Sequence, residues 1–198
     1  LVDHTVMEKL HQLEREFAER GIALAIVGLD DHVQLSQHPA AARLRLALAV
    51  QYAVAATAWP TASALRRWAR AAQQRDATVT VRFVGTREGQ TLNAIYRGKD
   101  YATNVLTFVY DDAVPLAGDI VLCVPVLRRE ARAGGVTLRA HCAHLVVHGM
   151  LHLQGHDHAM PREAARMEAR ETALLETLGI ADPYAPRAAA ARRRAGGR

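Results

Sequence analysis

The chain has 198 residues, half of them hydrophobic, which is enough for one packed domain with length to spare. No run of about 18 apolar residues is present, so no membrane span is expected, and the N-terminus lacks a charged start followed by an apolar stretch, so no secretion signal is expected. The net charge of +5 invites a nucleic-acid partner, but Arg187, Arg192, Arg193, Arg194 and Arg198 carry all of the excess; without them the chain is balanced.

In chain order, Val6, Leu10, Leu13 and Phe17 recur at helical spacing up to a stop at Gly21, and Ile22 to Val27 suits a buried strand. A polar stretch broken by Pro39 follows. The segments VDHTVMEKLHQLEREFAERG, GLDDH and HPAAAR resemble the end of the STAS domain of sulfate-permease-type transporters, about a fifth of the chain and too little for a whole domain. Residues 1–44 are therefore read as a partial STAS-like segment from a fusion or a misplaced start, with no function of its own.

From Leu44 the pattern changes. Leu46 to Val54 reads as a strand, and Pro60 and Thr61 precede a helix carrying Leu65, Trp68 and Ala72 on one face. Thr78 to Val84 alternates as a half-buried strand. Thr86 is expected to cap a short helix with Leu92 and Ile95 inward, ending in the turn YRGKD. Val105 to Tyr110 and Ile120 to Val124 are two further strands, with DDAVPLAG as a loop between them. Pro125 opens a short helix ended by Gly134 and Gly135. A long helix runs from Leu138 to about Gln154. The last helix follows Pro161, with Ala164, Met167, Leu174, Leu175 and Leu178 as its apolar stripe and Gly179 as its stop. Strands and helices intermix without strict alternation, which predicts an α+β fold. Cys123 and Cys142 lack metal-binding spacing and read as reduced, buried thiols of a cytosolic protein.

The segment AHLVVHGMLHLQGHDH carries the chemistry. His148 and His152 are four residues apart, so a helix puts both imidazoles on one face, able to meet one ion. Gly155 can end the helix in a left-handed turn, and the chain can double back to bring His158 to the same ion. Three neutral imidazoles suit Zn²⁺, and three protein ligands leave a fourth position open, as catalytic zinc sites do. His144 completes a stripe with His148 and His152, but consecutive turns of a straight helix converge poorly on a point. It is expected to line the site or bond a neighbour. His156 is read as an outer or substrate-facing group, and Asp157 either as an acceptor that orients a ligand imidazole or as a plain turn residue. Gly149 stands where zincin peptidases place their general base, which counts against peptidase action. Arg97 and Lys99 in the RGKD turn are candidate phosphate grips, although an exposed charged turn is the commoner meaning of such a sequence.

With these residues in hand, HGMLHLQGHDH resembles the signature of the YbeY family of metal-dependent endoribonucleases, which act in ribosomal RNA maturation. NAIYRGKDYATNVLTF, GDIVLC and LGIADPY resemble that family's other motifs, in order, over about residues 45 to 184. His156 stands where Tyr is common and Thr107 where Ser is common; neither change removes a ligand. The resemblance implies that His148, His152 and His158 hold one zinc ion and that Arg97 contacts RNA phosphate. It further implies an α+β fold: a small mixed four-stranded sheet packed by helices, with the zinc site at the end of a long helix. The expected domains are 1–44, the YbeY-like domain 45–184 and a basic tail 185–198. The expected activity is zinc-dependent, single-strand-directed RNA cleavage in ribosome maturation. Arg97, His148, His152 and His158 are the catalytic set, and Arg97 and Lys99 the substrate-binding set. RNA, and with it the ribosome or ribosomal proteins, is the expected partner, with no membrane and a cytoplasmic location. Two other readings are a non-catalytic assembly factor braced by a structural zinc and a metallohydrolase of another substrate.

Overall fold

The computed structural model describes residues 32–34, 43–55, 60–111, 115–158 and 160–185. The helix read at Val6 to Phe17, the strand at Ile22 to Val27 and the tail beyond residue 185 lie outside the described residues.

Five strands are described: β1 (His32–Gln34), β2 (Arg43–Tyr52), β3 (Ala77–Val84), β4 (Val105–Asp111) and β5 (Leu116–Cys123). They form one sheet in the order β1-β2-β3-β5-β4. β2, β3 and β5 run parallel, while β4 is antiparallel to β5 and β1 to β2. The expected four-stranded mixed sheet is thus β2 to β5, and three residues of the stretch read as a polar break add an antiparallel edge. β5 starts four residues before the expected Ile120, because Leu116 and Gly118 pair with Ala77 and Val79 of β3. Pro115 and Gly118 make this stretch look like loop. Yet at Gly118 a Cβ would fall 2.4 Å from the Phe108 carbonyl oxygen of β4, so the close strand approach itself requires the glycine.

Five helices are described: α1 (Ala62–Ala72), α2 (Thr86–Arg97), α3 (Val124–Ala133), α4 (Leu138–Leu153) and α5 (Pro161–Thr177); the first four pack on this sheet, and α5 packs on α4. Thr61 caps α1 through its side chain, and Thr137 caps α4 in the same way. Thr86 does not act as a cap; it is the first helical residue of α2, after Gly85. Of the two α2 residues expected inward, Leu92 packs against the sheet and Ile95 does not. The buried residues of α2 are Gly89 and Asn93, while Ile95 is 68% exposed. At Gly89 a Cβ would sit 3.1 Å from the Cys123 sulfur, so α2 approaches the sheet on its small-residue side, and the bulky Ile95 is left outward.

The alternation of β3 divides the interior. Val79, Val81 and Phe83 join Ile120, Leu122, Trp68 and the apolar residues of α4 in the larger core. Val84, Val121 and Cys123 face the other way, with Leu92 of α2 packed against them. Both cysteines are buried and free, as expected. α4 is buried on most of its circumference, from Cys142 through Leu153, which identifies it as the central helix of the fold. It touches α1, α3, α5 and the sheet, so its position is fixed from every side.

Candidate metal centre

The C-terminal turn of α4 builds the centre. His148 and His152 leave the helix on one face, and their Nε2 atoms lie 3.1 Å apart. The helix then ends as its capping residues dictate. Gly155 takes φ +87°, its N–H donates to the His152 carbonyl, and the His156 N–H donates to the Leu151 carbonyl. This pair of bonds reverses the chain at a position that only glycine takes without strain. The reversal brings His158 back, with its ring 5.5 Å from that of His148 and 4.9 Å from that of His152. One ligand nitrogen from each of the three residues lies within 4.8 Å of the others.

This donor set fits a metal ion. Two nitrogens bound tetrahedrally at 2.0–2.1 Å from one zinc are about 3.3 Å apart, close to the His148–His152 separation. Burial, and then the nearby His148 and His158, push His152 down to about 4, so at neutral pH this imidazole keeps its lone pair free for a cation. Gly149 lies between the two helical ligands and faces β5. A Cβ there would stand 3.0–3.1 Å from three atoms of Ile120, so the position that carries a general base in zincins is here a packing contact.

Behind the histidines lies a carboxylate that the sequence reading had placed in no site. Glu171 of α5 is fully buried, between Met167 and Leu175 on the same helical stripe. One of its oxygens accepts from His148 Nδ1 at 2.8 Å. The other accepts from His144 Nε2 at 2.8 Å and from the Tyr184 hydroxyl. Burial alone would raise this carboxyl group's pKa, but the hydrogen bonds from His144, His148 and Tyr184 hold it at about 2. His144 therefore bonds neighbours, as expected. Asp157 accepts from the backbone N–H of His158 and lines the same cleft as the three histidines. His156 bonds the Gln74 side chain of the loop after α1.

His148, His152 and His158 line an open cleft of about 830 Å³ that Arg97 also lines. Arg97 ends α2 ahead of Gly98, whose left-handed conformation closes the helix. It is exposed, and among the described residues it has no ion-pair partner. Lys99 is exposed just beyond and does not line the cleft. The cleft wall includes Tyr96, which packs edge-on against Phe108, and Tyr110, whose hydroxyl donates to Asp119.

The family model described as "Endoribonuclease YbeY" matches residues 55–179, a span that holds Arg97, all three histidines and Glu171. The chain belongs to the YbeY family. An endoribonuclease YbeY of Aromatoleum aromaticum is 61% identical over 144 residues, 71% of this chain and 94% of that protein. The YbeY of Azoarcus sp. is 56% identical over 159 residues, 74% of this chain and 63% of its own length. That of Nitrosomonas europaea is 52% identical over 139 residues, 70% of this chain and 85% of its own length. Membership of YbeY makes the chain an endoribonuclease. Among the described residues, no helix of this YbeY protein is long and apolar enough to cross a membrane.

Two residues of the YbeY centre escaped sequence reasoning, Glu171 and Tyr184. A signal for the first was present. Met167, Glu171 and Leu175 recur every four residues, so a charge stands in mid-stripe on the face that packs inward. A charge at such a position needs partners, and the histidines of α4 are the natural donors.

Proposed function

We propose that the chain is a zinc-dependent endoribonuclease directed at single strands, acting on ribosomal RNA during ribosome maturation in the cytoplasm. The observation that carries this reading is one cleft lined by three converging imidazoles, an exposed arginine and exposed tyrosine rings. Three nitrogen donors with a position left open favour zinc in a catalytic role. When bound, the ion supplies Lewis-acid chemistry, polarising a phosphoryl oxygen and making water acidic enough to attack near neutral pH.

The side chains do the rest. His148, His152 and His158 hold the ion. Arg97 presents its planar fork to a phosphate and offsets the charge that builds on the phosphoryl oxygens in the transition state. Lys99, two positions beyond and outside the cleft lining, is assigned to a phosphate farther along the strand. Tyr96 and Tyr110, 65% and 68% exposed, offer ring faces on which unpaired bases stack. Bases in a duplex are already stacked on one another, which is why aromatic walls favour single strands. The activity is assigned to residues 45–184, with 1–44 and 185–198 as flanking segments that take no part in it.

The test uses the zinc-loaded full-length chain on a single-stranded RNA, on the same sequence in a duplex, and on precursor ribosomal RNA. The single strand and exposed single-stranded sites of the precursor should be cut, and the duplex spared. His148→Ala and Arg97→Ala variants that cut as the unaltered chain does would refute the assignment.

A further inference from the structure

Among the described residues, Glu171 is the one charged side chain in the buried interior. It stands on the apolar stripe of α5 and is wholly shielded from solvent, yet both oxygens are occupied. An ionised carboxylate is placed in such surroundings only when donors surround it. His148 Nδ1, His144 Nε2 and the Tyr184 hydroxyl supply three. The bond from His148 has a chemical consequence. An imidazole that carries its proton on Nδ1 must leave Nε2 as a lone pair. Nε2 of His148 is also the atom that lies 3.1 Å from Nε2 of His152, on the side of the three-histidine cluster.

We propose that Glu171 is the positioning residue of the metal centre: it holds His148 in the tautomer and rotamer that aim Nε2 at the ion, and His144 and Tyr184 hold Glu171. The support runs through three segments of chain. α4 brings His144 and His148, α5 brings Glu171, and the segment after α5 brings Tyr184. That last segment is itself pinned, because Asp182 accepts from the Thr172 hydroxyl and from the Tyr184 backbone N–H. The centre thus depends on a residue 13 positions beyond Glu171, which reaches it through the Glu171 carboxylate and through His144.

A competing arrangement uses the same atoms. His144, His148 and Glu171 each offer a ligand atom within 4.8 Å of the others, so they form a second candidate metal group. Two features favour the hydrogen-bonded reading. Each pairing is already at hydrogen-bond length, and a second ion would require His148 to bridge two cations through both ring nitrogens.

The inference rests on the three-histidine metal reading, and the experiment separates the two. Zinc affinity and stoichiometry are measured by chelator competition on the full chain, on Glu171→Gln and on Tyr184→Phe, and the visible spectrum of each cobalt-loaded form is recorded. The unaltered chain should bind one ion. Glu171→Gln should bind one ion with affinity lowered about 10–100-fold and with a shifted cobalt spectrum, because loss of such an outer partner has that size of effect. Tyr184→Phe, which loses only a hydroxyl at the rim, should show a smaller loss in the same direction, and it carries the test if the glutamine variant does not fold. Unchanged affinity and spectrum in a folded Glu171→Gln, or in Tyr184→Phe where that variant carries the test, would overturn the role of Glu171 alone. Two ions in the unaltered chain and one in Glu171→Gln would replace it with the second metal group. An unaltered chain that binds no zinc would sink the metal reading together with it.

Discussion

The two chemical ends of the cleft are held in different ways. His148 and His152 stand on the most buried helix of the fold, and one of them is braced by a carboxylate with no solvent exposure. Arg97 stands at the last turn of a helix that meets the sheet through small residues, and its side chain is exposed. The histidine end is preorganised, and the arginine end, to which we assign the phosphate, is left free to adjust. A site for a small, fixed ion gains from rigidity, because its ligands must converge within fractions of an ångström. A site for a polymer backbone gains from a long side chain that can adjust.

That contrast can be broken most severely at the rigid end. His148→Ala should abolish both zinc binding and RNA cleavage, read by metal analysis and by gel assay on the same preparation. Arg97→Ala should lower kcat by about 10²–10³-fold, the size expected for removing one donor to a charged transition state, while zinc content stays at that of the unaltered chain. Loss of zinc from Arg97→Ala would show that the two ends are not independent.

Gly149→Glu would restore the zincin arrangement in sequence. It should instead destabilise the chain by about 3 kcal/mol, because the new side chain meets Ile120 of β5. Chemical unfolding reads the loss, and a peptidase assay should stay blank. At the adaptable end, Tyr96→Ala should raise KM for single-stranded RNA by about tenfold, equivalent to one stacked base, with little change in kcat.

The gentlest probe is pH on the metal-free protein. Folded His152 takes its proton near 4, against an ordinary 6.5, so between these values the unfolded chain binds a proton that the folded chain does not. Stability should therefore fall as pH drops from 6.5 toward 4. Glu171 acts in the next window. Its folded carboxyl titrates near 2 against an ordinary 4.5, so the stability it contributes above 4.5 is lost as pH falls from 4.5 toward 2. Urea midpoints across that range measure both, and added zinc should steepen the upper part, because the ion binds only unprotonated imidazoles and so holds protons off the folded chain.

The same contrast explains what was legible in the sequence. The histidine ligands could be read because their geometry is local: one helical turn, a glycine stop and a return fall within eleven residues. Arg97 came from a motif resemblance, since an exposed arginine in a turn carries no pattern of its own. Glu171 was missed because its partner His148 is 23 residues earlier, and the stripe reading of α5 looked only for apolar residues. Hydrophobicity alone points Ile95 inward, whereas it lies exposed. The helix–sheet distance is set there by Gly89 under Cys123, and the close fit excludes a large residue. β5 was read too short because Gly118 looks like loop until the neighbouring strand is in view. Local chemistry was visible in the letters, whereas distances between elements were not.

The chain reversal at Gly155 and the docking of α5 mean that the ion's nest does not exist in any one element. A peptide copied from α4 alone would carry two of the imidazoles but neither their brace nor the third donor. Tight zinc capture should then appear late in folding, after the helices have found one another, so that uptake of the ion serves as a clock for tertiary assembly.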